Sequence, residues 1–70
     1  MLPHDFRAEL AHHGLTEAAA GRFLDCDPRN IRRWSNDDGD GPPRSVALTL
    51  RLMRRFQVSP ADALAMLAAA

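Results

Sequence analysis

The segment from Thr16 to Ser35 contains the clearest structural signals of the chain and reads Thr-Glu-Ala-Ala-Ala-Gly-Arg-Phe-Leu-Asp-Cys-Asp-Pro-Arg-Asn-Ile-Arg-Arg-Trp-Ser. Its pattern predicts two short helices, over residues 17–24 and 28–35, with a tight turn over residues 25–27 between them. The first of these helices begins with small residues, so another helix can approach it closely. The two helices are therefore expected to pack against each other.

Both helices carry start signals in the sequence. Thr16 is a suitable N-cap, and Glu17 in the first turn suits the positive end of the helix dipole. A residue before proline disfavours helical angles, whereas proline is favoured at the first position of a helix. Asp27 is therefore expected to cap the second helix, which begins at Pro28.

The second helix has two faces. At 100 degrees per residue, Ile31 and Trp34 point inward, and the opposite side carries polar and charged residues. That outward group consists of Arg29, Arg32, Arg33 and Asn36, with Asn30 on its flank.

Helices are also predicted on both sides of this stretch. Residues 3–13 place Phe6 and Leu10 on one face, and Gly14 is suited to a left-handed helix end. Residues 36–43 contain two glycines and two prolines and are expected to form a loop.

The C-terminal part of the chain predicts two more helices, over residues 44–57 and 60–69. Ser59 and Pro60 are the expected start of the last helix. The predicted fold is therefore all-α: one compact five-helix domain over residues 1–70, in which residues 44–70 contribute to the core and to a dimer interface.

Composition limits the function classes. The 70 residues include one cysteine, nine arginines, no lysine and nine acidic residues, so the formal net charge is zero. No apolar run approaches the roughly 18 residues that span a bilayer, and the first residues lack the basic segment followed by a hydrophobic one that is typical of a signal peptide. A cytoplasmic protein, encoded by a bacterium or a phage and without a membrane partner, is expected.

The order helix, tight turn, helix is that of a helix-turn-helix, the second helix of which reads DNA in many regulators. The stretch from Leu15-Thr16-Glu17 to Arg32-Arg33-Trp34 resembles the lambda-repressor-like helix-turn-helix family of small phage and bacterial regulators. The resemblance extends through the proline-containing loop into Ser45-Val46-Ala47-Leu48 and covers about residues 6–56.

This resemblance implies roles for several residues. Gly21 falls where the family takes a small residue at the crossing of the two helices, and the three arginines of residues 28–35 fall on groove-facing positions. Two residues depart from the pattern. Asp25 replaces the turn glycine, and Glu17 stands where the family often has a glutamine that contacts a phosphate, so a carboxylate there would repel DNA.

The outward residues are the candidate base contacts, because arginine pairs with guanine O6 and N7 and asparagine with adenine N6 and N7. The alternative is a solvated arginine face that keeps the domain soluble. The candidate base contacts are Arg29, Asn30, Arg32, Arg33 and Asn36, and the candidate phosphate contacts are Thr16, Arg22, Arg44 and Ser45. For Ser45, a simple capping role is the alternative.

The fourth helix has an apolar arc that is wider than one neighbouring helix requires. A homodimer would cover it and would space two recognition helices for half-sites about 34 Å apart. The arc consists of two lines of apolar side chains, one with Val46, Leu50 and Met53 and one with Leu48, Leu52 and Phe56. Alternatively, the first and last helices cover both lines. The predicted dimer interface consists of Leu48, Leu52, Phe56, Leu64 and Leu67.

Other chemistry has little support. Cys26 is expected to be a buried, inert thiol, and the three histidines have no partners at metal-binding spacing. The acidic loop 36–41 lacks the glutamate that would complete a calcium site. No enzyme activity, cofactor, metal or small-molecule substrate is indicated.

The sequence thus predicts a sequence-specific DNA-binding regulator, a dimeric repressor or autoregulator at a palindromic operator. The alternative is a helix-turn-helix fold used as a protein-protein interaction module. Acidic residues flank the arginines, so specific base contacts and dimer geometry must supply more of the affinity than general attraction to phosphate does.

Overall fold

The computed structural model describes residues 1–68. It contains five helices and no strand in this range, as the sequence predicts: α1 (Pro3–His12), α2 (Glu17–Leu24), α3 (Pro28–Ser35), α4 (Arg44–Arg55) and α5 (Pro60–Ala68). The Cα radius of gyration is 11.6 Å, close to the roughly 11 Å of a compact chain of this length. The predicted last residue of α5, position 69, lies outside the described residues.

The first two helices end in the left-handed conformation. Gly14 has a φ of 68°, and the N–H of Leu15 donates to the carbonyl oxygen of Leu10 at 2.8 Å. This is the Schellman ending predicted for α1. Helix α2 ends in the same way at Asp25, which has a φ of 53° although it is not a glycine.

Helix α4 is shorter than its predicted range of residues 44–57. It ends at Arg55, and Gln57 takes the left-handed conformation with a φ of 56°. The N–H of Val58 then donates to the carbonyl oxygen of Met53 at 2.8 Å. The chain reverses here without a glycine, so the sequence carries no stop signal.

A small core joins α1, α2, α3 and α4. Phe6 and the half-buried Trp34 pack edge to face, with ring centroids 6.0 Å apart and planes at 77°. Such edge-to-face pairs add about 0.5–1.5 kcal/mol to the burial of the two rings. The buried apolar residues are Phe6, Leu10, Ala20, Ile31, Leu50 and Met53.

A buried carboxylate also links α1 to α4. Glu9 is only 1% exposed, and its Oε1 accepts a hydrogen bond from Arg54 Nη1 at 3.2 Å, with Arg51 Nε 3.6 Å away. The imidazole of His13 lies 3.5 Å from Glu9 Oε2 and 3.3 Å from the carbonyl oxygen of Leu50. This cluster was not predicted from the sequence.

The loop between α3 and α4 is tied to α1. Arg7 donates from Nη1 to Asp37 Oδ1 at 2.9 Å and also to the carbonyl oxygen of Ser35. One basic side chain on α1 therefore holds both the end of α3 and the start of the loop. Within residues 1–68, no helix is long and apolar enough to cross a membrane.

Candidate nucleic-acid interface

Helices α2 and α3 approach each other closely at Gly21. A Cβ atom at this position would lie 2.9 Å from the carbonyl oxygen of Cys26 and 3.3 Å from Pro28 Cγ. Only a residue without a side chain fits there without movement of the backbone. The glycine thus sets how α3 projects from α2.

The caps predicted for these two helices are present. Thr16 Oγ1 accepts from the N–H of Ala19 at 3.1 Å, and Asp27 Oδ1 accepts from the N–H of Arg29 at 2.9 Å. Both caps fix the first turn of their helix. The Thr16 hydroxyl retains its own hydrogen, which is the part available to donate to a phosphate.

Helix α3 has the two faces that its sequence predicts. Ile31 is fully buried and Trp34 is half-buried. On the other side, the side chains of Arg29 and Arg32 are 84% and 72% exposed, and Arg33 is exposed as well. Three guanidinium groups therefore project from one short helix.

Arg29 is paired with the carboxylate that caps its helix. Its Nε and Nη2 donate to Asp27 Oδ2 at 3.1 and 2.8 Å. The side-chain and backbone hydrogen bonds from Arg29 lower the pKa of Asp27, and the same pairing raises the pKa of Arg29. This guanidinium is consequently held beside an anion at the start of α3.

The other two arginines of α3 also have acceptors. Arg32 donates from Nε to Glu17 Oε2 at 3.2 Å, which links α3 to the first turn of α2. Arg33 donates from Nη2 to Asn30 Oδ1 at 2.9 Å. The acceptor of Arg33 is a neutral amide. The positive charge of Arg33 is therefore not offset by Asn30, the residue that orients it.

Asn36, the fifth candidate base contact, lies at the C-terminal end of α3 in an extended conformation. Its Oδ1 accepts from the N–H of Asp38 at 3.2 Å. The amide oxygen is thus used in the turn that follows α3. Its NH₂ group is the part that can still act as a donor.

The candidate phosphate contacts lie at three places. Thr16 begins α2, Arg22 is exposed in its last turn, and Arg44 and Ser45 are exposed in the first turn of α4. Within residues 1–68 no side chain caps α4, and its N-cap is Pro43. The alternative role of Ser45 as a cap is therefore wrong, since the residue lies inside the helix.

Cys26 is half-buried rather than buried, in the turn between α2 and α3. Burial raises the pKa of its thiol, and the neighbouring charges of Asp27 and Asp25 raise it further. The thiolate is the reactive form of cysteine. The position thus disfavours reaction near neutral pH, in keeping with the inert thiol expected from the sequence.

The five residues predicted for the dimer interface lie on α4, at its C-cap (Phe56) and on α5, and they are between 45% and 75% exposed. Beside them is a shallow groove of about 400 Å³, lined mainly by apolar side chains. Helices α1 and α5 therefore leave the side chains of Leu48, Leu52 and Phe56 exposed in the single chain. The exposed apolar residues here are Leu48, Leu52, Phe56, Leu64 and Leu67, together with Met66, which the sequence reasoning did not include.

We compared the chain with models of known protein families, with curated proteins and with solved structures. None of the three comparisons found a match.

Proposed function

We propose that this protein is a sequence-specific DNA-binding regulator with a helix-turn-helix made by α2 and α3. It reads the major groove with α3 and acts as a dimeric repressor or autoregulator at a palindromic operator. The observation that carries the proposal is the outward face of α3. Arg29, Arg32 and Arg33 project from this face, while Ile31 and Trp34 hold the opposite face against the core.

The size and donors of α3 suit a DNA groove. Eight residues make a helix about 12 Å long, and the major groove is about 12 Å wide. Arg33 and Asn30 are joined by a 2.9 Å hydrogen bond, so they would contact neighbouring base edges together. Phosphates would be bound by Thr16 and Arg22, and by Arg44 and Ser45 in the first turn of α4, where unpaired N–H groups favour an anion.

Homodimer formation is part of the same proposal. The exposed apolar face of α4 and α5 would be buried against a second copy of the chain. A two-fold dimer places two copies of α3 on one side of the DNA, and this arrangement requires a palindromic site. Because each copy of the chain has no net charge, a single copy is expected to bind DNA weakly. Linking two copies in a dimer raises the overall affinity for the operator.

The second candidate function is a protein-protein interaction module. It is favoured by the apolar groove beside Leu52 and Phe56 and by the distribution of charge. Residues 1–43 hold five arginines and eight acidic residues, a net charge of −3, although they contain α3. Residues 44–70 hold four arginines and one aspartate, a net charge of +3, and contain the apolar face.

Selection from a library of random duplexes followed by salt titration separates the two candidates. A DNA-binding regulator enriches one palindromic sequence, and its affinity for that duplex falls steeply between about 50 and 200 mM salt. A protein module enriches no sequence. Failure to enrich any duplex from a folded, dimer-competent sample would contradict the proposal.

A further inference from the structure

We infer that Glu17 and Asp27 are specificity-determining residues, which orient two arginines of α3 and lower the affinity for DNA of the wrong sequence. The inference rests on the proposed function and assigns these two carboxylates a part in it. The observation is that each carboxylate lies in the first turn or cap of its helix and binds one outward arginine.

The contacts leave specific donors on each arginine unused. Arg32 meets Glu17 through Nε, at 3.2 Å, and its two Nη groups make no hydrogen bond to the described residues. Those two groups form the end of the guanidinium that pairs with O6 and N7 of guanine. Glu17 therefore holds Arg32 in an orientation that suits end-on reading of a base.

Arg29 is held through two of its nitrogens, Nε and Nη2. Asp27 binds its Nε and Nη2, so Nη1 and the second hydrogen of Nη2 point away from the carboxylate. An arginine has five N–H donors, and two are used here. Both arginines can thus contact a base without breaking the contact to the carboxylate.

The two ion pairs weaken contacts to phosphates more than contacts to bases. Non-specific binding depends almost wholly on neutralisation of phosphates by cations. An arginine that leaves a carboxylate for a phosphate exchanges one anion for another and leaves the carboxylate unpaired beside the DNA. The two arginines therefore add little free energy to the binding of DNA of any sequence. A correctly placed guanine, in contrast, contributes its full contact energy, because the arginine keeps its carboxylate partner.

The two ion pairs contribute little to the stability of the fold. The side chains of Glu17 and Asp27 are 50% and 45% exposed, and those of their partners are more exposed still. Exposed ion pairs contribute little to the free energy of folding. The effect of the two carboxylates is thus expected on binding, apart from the cap of α3, which asparagine also provides.

The test compares Glu17→Gln and Asp27→Asn with the matched control Asp62→Asn. The control removes one negative charge from the first turn of α5 and changes the net charge by the same amount. Each protein is titrated by fluorescence anisotropy with a random-sequence duplex and with the duplex enriched by selection, at several salt concentrations. Circular dichroism confirms that each variant is folded.

We expect Glu17→Gln and Asp27→Asn to bind the random duplex roughly three- to tenfold more tightly than the wild type does, with a steeper salt dependence. Affinity for the selected duplex should rise less, so the ratio of the two affinities falls. Asp62→Asn should change that ratio by less than about twofold.

Two results separate the inference from the proposed function. If the wild type prefers the selected duplex and the two variants keep its affinity ratio, the inference is wrong and the function stands. If neither the wild type nor any variant binds DNA, both are wrong.

Discussion

At the scale of single residues, Gly21 fixes the relation of α2 to α3. We predict that Gly21→Ala lowers the free energy of unfolding by up to about 2 kcal/mol, because its Cβ would meet a backbone oxygen at 2.9 Å. Strain from overpacking, typically about 1–3 kcal/mol, outweighs the roughly 1 kcal/mol gain in helix propensity. Urea denaturation measures the change.

The exposed Ala18 on the same helix supplies the control. Ala18→Gly tests propensity alone and should lower stability by up to about 1 kcal/mol. A Gly21→Ala variant that is as stable as the wild type, or more stable, would show that α2 and α3 do not approach as closely as described.

Asp27 gives the start of α3 a dependence on pH. Its pKa is lowered in the folded state by hydrogen bonds from Arg29, so the unfolded chain binds the proton more readily. The contribution of Asp27 to stability is therefore present above about pH 4, the ordinary pKa of aspartate, and is lost as the pH falls through the lower folded value.

We predict that Asp27→Asn reduces the loss of stability between about pH 5 and pH 2, because asparagine caps the helix without titrating. Thermal unfolding followed by circular dichroism across this range provides the measurement. Asp62→Asn is the matched control. An acid profile for Asp27→Asn that coincides with the wild-type profile would contradict the assigned cause.

At the scale of elements, the buried Glu9 holds α1 against α4. We predict that Glu9→Gln lowers the free energy of unfolding by about 1–3 kcal/mol, because the charge-assisted hydrogen bond from Arg54 is weakened in a buried place. Glu17→Gln is the matched control, since its ion pair is exposed and should change stability by less than about 1 kcal/mol.

Chemical denaturation of both variants measures this difference. Equal effects of the buried and the exposed substitution would mean that the Glu9 contact adds no more than a surface pair does.

Most helix bounds could be predicted because they depend on local signals. Proline at the first position and a capping side chain define the starts of α3 and α5, and Gly14 defines the end of α1. The end of α4 was predicted too late because Gln57 adopts a conformation that usually requires glycine. Local propensity holds no sign of this reversal.

The sequence did contain a signal for the Glu9 cluster. Phe6, Glu9, Leu10 and His13 follow the spacing i, i+3, i+4, i+7 of one helix face, so Glu9 and His13 share the face that enters the core. The faces of α3 followed from the same periodicity. The pairing of Glu17 with Arg32 could not be predicted, because it depends on the angle between two helices.

At the scale of the whole molecule, the exposed apolar face of α4 and α5 is expected to hold a second copy. We predict that Leu52→Ser combined with Phe56→Ser raises the dissociation constant of the homodimer more than about 100-fold, from lost apolar burial. The two side chains are 57% and 67% exposed in the single chain, so monomer stability should change by less than about 0.5 kcal/mol each.

Sedimentation equilibrium measures the association, and Leu2→Ser is the control, because Leu2 is 58% exposed but lies outside this face. A wild type that remains monomeric at high micromolar concentration would contradict the predicted dimer.

The proposed reading of DNA depends on the arginine face of α3, and Arg33 is its most direct test because the Asn30 side chain that orients it is neutral. The measurement is the affinity for the selected duplex, by anisotropy at about 100 mM salt, of Arg33→Ala and of Arg51→Ala, an exposed arginine on α4. Loss of one bidentate base contact, about 1–3 kcal/mol, predicts at least about fivefold weaker binding by Arg33→Ala and little change for Arg51→Ala. Wild-type affinity in a folded Arg33→Ala variant would contradict the claim that α3 reads DNA.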